Sequence, residues 1–454
     1  MKIASIALFC VLAIASNVHA DPLPTPDGVC ATTTARTLQG MAEGDFASAA
    51  GGFSDAAAGT HSDRRLEQDW SQLLARSGAF KQRSSAEALA VPERHYLLTR
   101  MDFATAGWDA ISACDQDGRL TYLEWAPASD AATRIANALP ATLADGSTSH
   151  PTSVRTAWGP LPATLTLPAG RGPFPALVMV SGAGAQDEDA SVGPNKPFKD
   201  IAEGLARHGI ATLRYEKRSR AYPVQAALDS RFDIRDDIID DALAALAQLE
   251  TDRRIDARHI YLLGHSLGGM LAPQIALASD RVAGTILMAA PAESVIANGI
   301  RQTRYVAGVE HTASADLERT VAALQGEQAL LDDALRKRQV PDGSFMGMPQ
   351  SWWASLAAYD PLQAARQLRR PMLMLQGESD FQVDAAANLA RWHEALAGRG
   401  DVTWIQYPGL GHPFLPAGTP PAPADYQRQA HVPANVIDDI SAWVWQGAAG
   451  KRKS

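Results

Sequence analysis

Cysteine is scarce in this chain: three residues in 454. Cys10 lies inside an N-terminal apolar run, so the remainder has one possible bridge, Cys30 to Cys114, and a fold built on disulfides is excluded. Two unpaired thiols are the alternative that the sequence leaves open. Beyond that first run, no stretch approaches the about 20 consecutive apolar residues of a membrane-spanning helix. Positive charge is not in excess either. Forty-one Lys and Arg against 50 Asp and Glu give a formal charge of −9, which supplies no electrostatic reason to bind nucleic acid or an anionic membrane. The closing Lys451-Arg452-Lys453-Ser454 is too short to change that balance. No P-loop occurs, and no His/Cys/Asp group has zinc-ligand spacing. Gly182-Ala183-Gly184 follows an apolar run, but a dinucleotide loop needs a third glycine where this chain has Asp187. Neither a metal nor a cofactor is therefore expected.

What is present begins with an export signal. Lys2 precedes the apolar stretch Ile3 to Ile14, and Val18-His19-Ala20 offers a small-residue exit before Asp21. Residues 1–20 are expected to be a cleaved secretory peptide, placing the protein outside the cytoplasm or in the periplasm. The proline-rich DPLPTPDG that follows is a linker. Apolar residues then recur at helical spacing over Thr34 to Ala49 and Arg64 to Leu74. Alternation over His95–Phe103, Trp108–Ala113 and Leu120–Trp125 indicates strands. Asp117-Gly118 joins the last two as a hairpin, because an EF-hand loop would place its glycine later. Helices followed by an antiparallel sheet make residues 31–130 a small α+β domain.

Residues 131–152, rich in Ala, Ser, Thr and Pro, are expected to be an interdomain linker. From 153 to 448 the rhythm is α/β: LPATLTLP, FPALVMVSG, ATLRYEKR, IYLLGHS, VAGTILMAAP, PMLMLQGESD and VTWIQYPG alternate with helical stretches. Continuous apolar strands with helical crossovers predict a doubly wound, mostly parallel sheet covered on both faces. Residues 294–368 interrupt the rhythm with helices, and an insertion of this length is expected to cap the mouth of a site.

The chemistry gathers at Gly264-His265-Ser266-Leu267-Gly268, a G-x-S-x-G between an apolar strand and an apolar helix. A serine on such a tight strand-to-helix turn is exposed, and small residues two positions either side let strand and helix approach. The hydroxyl needs a base, and the base needs an orienting acid. Asp380 stands three residues beyond Gly377 at a strand end, ahead of Glu378 and Asp360 as candidates. His412 follows the next strand on a glycine loop, Tyr407-Pro-Gly-Leu-Gly. His265, inside the turn, reads as packing or as a support for the site's residues rather than as the base. An oxyanion requires two N–H donors. They are assigned to the backbone of Leu267 and of Ala183, the latter in the loop Ser181-Gly-Ala-Gly-Ala-Gln-Asp187. Trp352, Trp353 and Met346, with Met348, are candidates for an apolar substrate pocket in the cap, or alternatively for the cap's own core.

These motifs carry a resemblance. VMVSGAGAQDED, FKDIAEGLARHGIATLRYEKR, IYLLGHSLGG, MLMLQGESD and GLGHPF together resemble an α/β-hydrolase. The likeness is to secreted esterase-like members related to the serine aminopeptidase and dienelactone-hydrolase groups. EGDFASAAGGFS, LEQDWSQLLARSGAF and DGRLTYLEWAP resemble the small nuclear-transport-factor-like domain that precedes some secreted bacterial hydrolases. The resemblance implies a serine hydrolase acting on small-molecule esters through Ser266, Asp380 and His412. It leaves open an aminopeptidase-like enzyme using Asp187, Glu188 and Asp189 for a substrate ammonium, or a non-catalytic binding protein on the same scaffold. One departure is visible: relatives usually carry Arg where this chain has Gln186-Asp187-Glu188-Asp189.

Overall fold

The computed structural model of the chain describes residues 28–91, 94–311 and 314–450; the expected signal segment, 1–20, lies outside them. Four helices, Gly28–Glu43, Phe46–Ala50, Asp55–Ala58 and Asp63–Ser77, come first. They precede strands β1 (Phe80–Arg83), β2 (Glu87–Val91), β3 (Arg94–Phe103), β4 (Gly107–Cys114) and β5 (Leu120–Pro127). The strands form one antiparallel sheet in which β1 and β2 both pair with β3, followed by β4 and β5. The apolar faces of the long helices meet the sheet around Leu38, Met41, Leu66, Trp70, Phe103 and Leu123. Cys30 and Cys114 form a disulfide, tying the start of the first helix to the end of β4. Asp115 turns the β4–β5 hairpin by accepting from the backbone N–H groups of Asp117 and Arg119.

Residues 131–152, expected to be a bare linker, are ordered. They hold the helix Ala131–Asn137, the short strand β6 (Ala141–Thr142) and the start of β7 (Thr148–Thr156). β7 pairs with β8 (Gly159–Leu167) along its whole length, so the large sheet begins inside the segment whose composition reads as a spacer. Thr148 to Thr156 carries one buried residue, Val154, which is why no apolar alternation marks it as a strand.

The large sheet continues with β9 (Phe174–Val180), β10 (Ala211–Tyr215), β11 (Ile255–His265) and β12 (Val282–Met288). After the insertion, which carries the small ribbon β13 (Ser344–Phe345) and β14 (Met348–Pro349), come β15 (Met372–Gly377) and β16 (Val402–Tyr407). The spatial order is β16-β15-β12-β11-β9-β10-β8-β7-β6. Strands β9 to β12, β15 and β16 are mutually parallel, and β8, β7 and β6 extend the sheet antiparallel at one edge. Period-two alternation sorts side chains to two covered faces. Ala176, Val178, Ile260, Leu262, Met372 and Met374 meet the helices Asp240–Thr251, Leu267–Leu277 and Ala385–Ala395. Leu177, Met179, Tyr261, Leu263, Leu373 and Leu375 meet Pro197–Arg207 and Ala434–Gly450.

Topology then places a site. The chain leaves β9 to form β10 on one side, then crosses back to form β11 on the other. The carboxyl ends of β9 and β11 therefore flank a switch point, where a crevice opens. Residues 294–368 fold as helices Val295–Glu310, Ser314–Lys337, Gln350–Ala357 and Pro361–Gln367. The last of these packs against Leu267–Leu277 through Ala365, so it belongs to the layer covering the sheet rather than to the cap.

Candidate active site

The strand β11 ends in the turn that presents Ser266. Its backbone sits at φ 54°, ψ −121°, a conformation that costs an L-residue about 1–3 kcal/mol. The Ser266 N–H donates to Met288 O at 2.8 Å, and Ser266 O accepts from Met270 N at 2.8 Å. The turn is thus locked to β12 on one side and to the following helix on the other. The flanking glycines are obligatory. A Cβ on Gly264 would stand 2.3 Å from Gly268 O, and one on Gly268 would stand 2.4 Å from Val180 O. Strand, helix and the neighbouring strand end meet there with no room for a side chain.

Register brings the other residues to the same edge. Gly264 aligns with Val180 of β9 and Leu287 of β12, and Gly377 of β15 aligns with Tyr407 of β16. A Cβ on Gly377 would meet Leu410 O at 2.3 Å, so this glycine lets the His412 loop close over the Asp380 turn. Asp380 Oδ2 accepts from His412 Nδ1 at 2.8 Å and from Gln376 Nε2 at 3.1 Å. Its Oδ1 accepts from the backbone N–H groups of Gln382 and Val383, each at 2.8 Å. The carboxylate is fully buried and the imidazole nearly so. Because the carboxylate accepts at Nδ1, the proton of His412 sits there and Nε2 keeps its lone pair. His412 and Ser266 line one cleft.

His265 is also in this cleft, with its ring centroid 4.7 Å from that of His412. Its Nε2 donates to the His412 carbonyl at 2.9 Å. Protein surrounds it except at the cleft, and burial, reinforced by the neighbouring His412, pushes its pKa down to about 3. A neutral donor therefore fixes the backbone of the His412 loop. This hydrogen bond gives His265 a supporting role beside His412, one of the two roles that the sequence leaves to it.

Across the cleft, the loop after β9 is held at successive carbonyls. Lys217 Nζ donates to Gly182 O at 3.4 Å, and Gln186 Nε2 donates to Ala183 O at 3.1 Å. Gly182 C=O and Ala183 N–H belong to one planar trans peptide, so turning the carbonyl to Lys217 aims the N–H the opposite way. Lys217 is itself buried against Asp237 Oδ2 at 2.8 Å, and Trp352 Nε1 donates to the same oxygen at 3.2 Å. Asp237 comes from a turn of π-helix, Arg235–Ile239, a wide turn that often marks functional positions. The loop is therefore anchored by Gln186 and Lys217. Leu267 opens the helix Leu267–Leu277, where backbone N–H groups have no partner within the helix, and both Leu267 and Ala183 line the cleft.

The expected pocket residues lie elsewhere. Trp352, Trp353 and Met346 are not among the residues lining the cleft. Trp352 and Trp353 are 0% and 2% exposed, and Trp353 Nε1 donates to Phe345 O. With Met346 packed beside them, they fix the base of the cap to the main core, because two indoles with satisfied N–H groups bury more surface as core than as a cleft wall. The actual wall comes from one face of helix Val295–Glu310, namely Val295, Asn298, Gly299 and Gln302, adjoined by Gln382 and Tyr426. Their i, i+3, i+4, i+7 spacing is legible in the sequence. The buried amides on that face were the signal that could have identified it. Phe198, Ile201, Val192 and Met288 complete an apolar floor, and the cleft encloses ≈ 1140 Å³ including its open mouth.

Asp187, Glu188 and Asp189 do not line the cleft. Asp187 accepts from Ser191 N, Glu188 from Thr164 Oγ1, and Asp189 from Lys196 and Arg214. Burial raises the Glu188 carboxyl above its ordinary range. Apart from the two histidines, the lining side chains are uncharged. Among the described residues no group of His, Cys, Asp and Glu could hold a metal, and no helix is long and apolar enough to cross a membrane.

The family described as "Serine aminopeptidase, S33" matches residues 196–416. Esterase EstD of Thermotoga maritima is 30% identical over 408 residues, 90% of this chain and 93% of its own length. Among solved structures, Est1E from Butyrivibrio proteoclasticus is similar over 66% of this chain and 99% of its own, at 15% identity and a TM-score of 0.42. The hyperthermophilic esterase of Pyrobaculum calidifontis covers 66% and 86%, at 18% and 0.41. With EstD matched across both chains almost end to end, this chain belongs to the family of that esterase and has the α/β-hydrolase fold.

Proposed function

We propose that the protein hydrolyses carboxylic esters of small molecules through an acyl-enzyme on Ser266. The carrying observation is the convergence of a strained, cleft-facing Ser266 with a His412 already oriented by Asp380. Ser266 Oγ adds to the ester carbonyl while His412 Nε2 takes its proton. The resulting oxyanion is met by the N–H groups of Leu267 and Ala183. Collapse breaks the C–O bond to the alcohol, which leaves with the proton from His412. Water then repeats the sequence on the acyl-serine and releases the acid. Asp380 holds the tautomer that makes His412 a base and stabilises the imidazolium. Replacing Ser266 with Ala should abolish p-nitrophenyl ester hydrolysis with the fold intact; retained turnover would remove the assignment.

The lining favours an ester over a peptide N-terminus. An ammonium needs a carboxylate, and the three acidic residues available for that purpose are already paired and outside the cleft. Aminoacyl anilides should be poorer substrates than acyl esters. A fluorophosphonate probe separates an enzyme from an idle binding protein, since only an activated Ser266 would be labelled. Export to the periplasm or beyond is part of the same proposal. It is supported by the apolar N-terminal run and by the Cys30–Cys114 bridge, which persists in oxidising compartments.

A further inference from the structure

Asn298 lines the cleft from the cap helix and is only 8% exposed. Its Nδ2 donates to Gln382 O at 2.5 Å. A carbonyl only accepts, so this contact settles which end of the amide is nitrogen. Oδ1 is then left buried with no hydrogen-bond donor. Unpaired buried acceptors are rare because desolvation is not repaid. The Asn298 side chain lines the cleft, so a ligand seated against that wall can press a donor onto Oδ1. The cleft around it is uncharged apart from the histidines and largely apolar on the floor, with Val192, Phe198, Ile201 and Met288. No carboxylate is present to receive a cationic donor, and a neutral hydroxyl is the group that fits.

We propose that Asn298 Oδ1 is a specificity-determining acceptor for a hydroxyl group on the substrate, and that the preferred class is hydroxylated esters rather than plain ones. The inference rests on the ester-hydrolase reading of the cleft. A site built to hydrogen-bond a hydroxyl discriminates against the analogue lacking it, because the acceptor is then stranded. The hydroxyl can belong to the acyl or to the alcohol part, and the assay tells them apart.

The experiment compares kcat/KM of the full chain for ethyl butanoate, ethyl 3-hydroxybutanoate and 2-hydroxyethyl butanoate, each normalised to its alkaline hydrolysis rate. One hydroxylated ester should exceed ethyl butanoate by about tenfold or more, and which one locates the donor. In Asn298→Leu that ratio should fall to near one. The ratio is the readout because Asn298 also holds Gln382, whose N–H donates to Asp380, so its loss lowers turnover of every ester. Equal turnover of all three esters by the unmodified protein overturns this inference alone. So does a ratio that survives in Asn298→Leu. Absence of both turnover and fluorophosphonate labelling overturns the ester reading, and this one with it.

Discussion

Ser266 is held at φ 54°, ψ −121°, and the cost of that geometry can be separated from the chemistry it serves. Ser266→Ala removes the hydroxyl but keeps the Cβ, and with it the strain. Ser266→Gly removes both. The strain is worth about 1–3 kcal/mol. Glycine gives back about 0.5–1 kcal/mol through the larger entropy of the unfolded chain. A further fraction of the about 0.8 kcal/mol of a buried carbon is lost, because a Cβ built on Gly182 would lie only 3.0 Å from that of Ser266. The balance leaves the glycine variant about 1 kcal/mol more stable than the alanine variant. In a domain of this size that is a rise of about 2 °C in Tm. Differential scanning calorimetry should resolve it in the transition of the hydrolase domain, with both variants devoid of ester turnover. A glycine variant less stable than alanine would refute the reasoning, since it would mean that the turn stores no strain at Ser266.

Three further expectations follow from the same geometry. His265 is neutral in the folded protein, with its pKa pushed down to about 3, so unfolding takes up a proton below about pH 6.5. Stability is therefore lost as pH falls from about 6.5 towards 3, with a slope below the limiting about 1.4 kcal/mol per pH unit because the ring edge meets cleft water. His265→Gln should flatten Tm against pH between 6.5 and 4, and an unchanged profile would contradict the assignment. Lys217→Met leaves the buried Asp237 unpaired, at a cost of about 3–5 kcal/mol, and frees the Gly182 carbonyl. It should depress kcat of the folded fraction more than it raises KM, whereas a pure KM effect would detach Lys217 from the Ala183 N–H. The Cys30–Cys114 bridge closes a separation of 84 residues, for which chain entropy gives about 2–5 kcal/mol. Reduction should lower the melting transition of the N-terminal domain and leave ester turnover by the hydrolase domain in place.

The elements most legible from sequence were those whose burial is written in consecutive residues. FPALVMV, IYLLG and MLMLQG announce themselves because both faces of a parallel strand are covered. Each of these three strands ends at a turn that builds the cleft. That is why Ala183, Ser266 and Asp380 stand out as candidates, while His412 is marked instead by the glycine loop after the next strand, β16, which is only partly buried. β7 was hidden for the converse reason, lying near the sheet edge with one buried residue. Lys217 and Asp237 were also hidden: each reads as an ordinary surface charge, and only their burial against Gly182 and Trp352 gives them a role.

Specificity was the least legible part, and the physical reason is the separation of parts. The Ser266 turn is a local structure, fixed by five consecutive residues that must avoid one another's backbone. The cleft wall joins residues 298 and 302, from a helix, to residues 382 and 426, from two later loops. No local rule links those positions. The tryptophan pair at 352 and 353 looked like a pocket because aromatic residues in an insertion so often line one. The structure uses them to brace the cap, and it turns the less conspicuous amides towards the cleft. The general lesson runs through buried polarity. An apolar residue in a cap helix is equally at home in core or cleft, whereas a buried amide must find a partner or await one. Asn298 has one end of its amide paired and the other unpaired. Residues of that kind, rather than the aromatic ones, are where a hydrolase of unknown specificity should first be searched for its substrate.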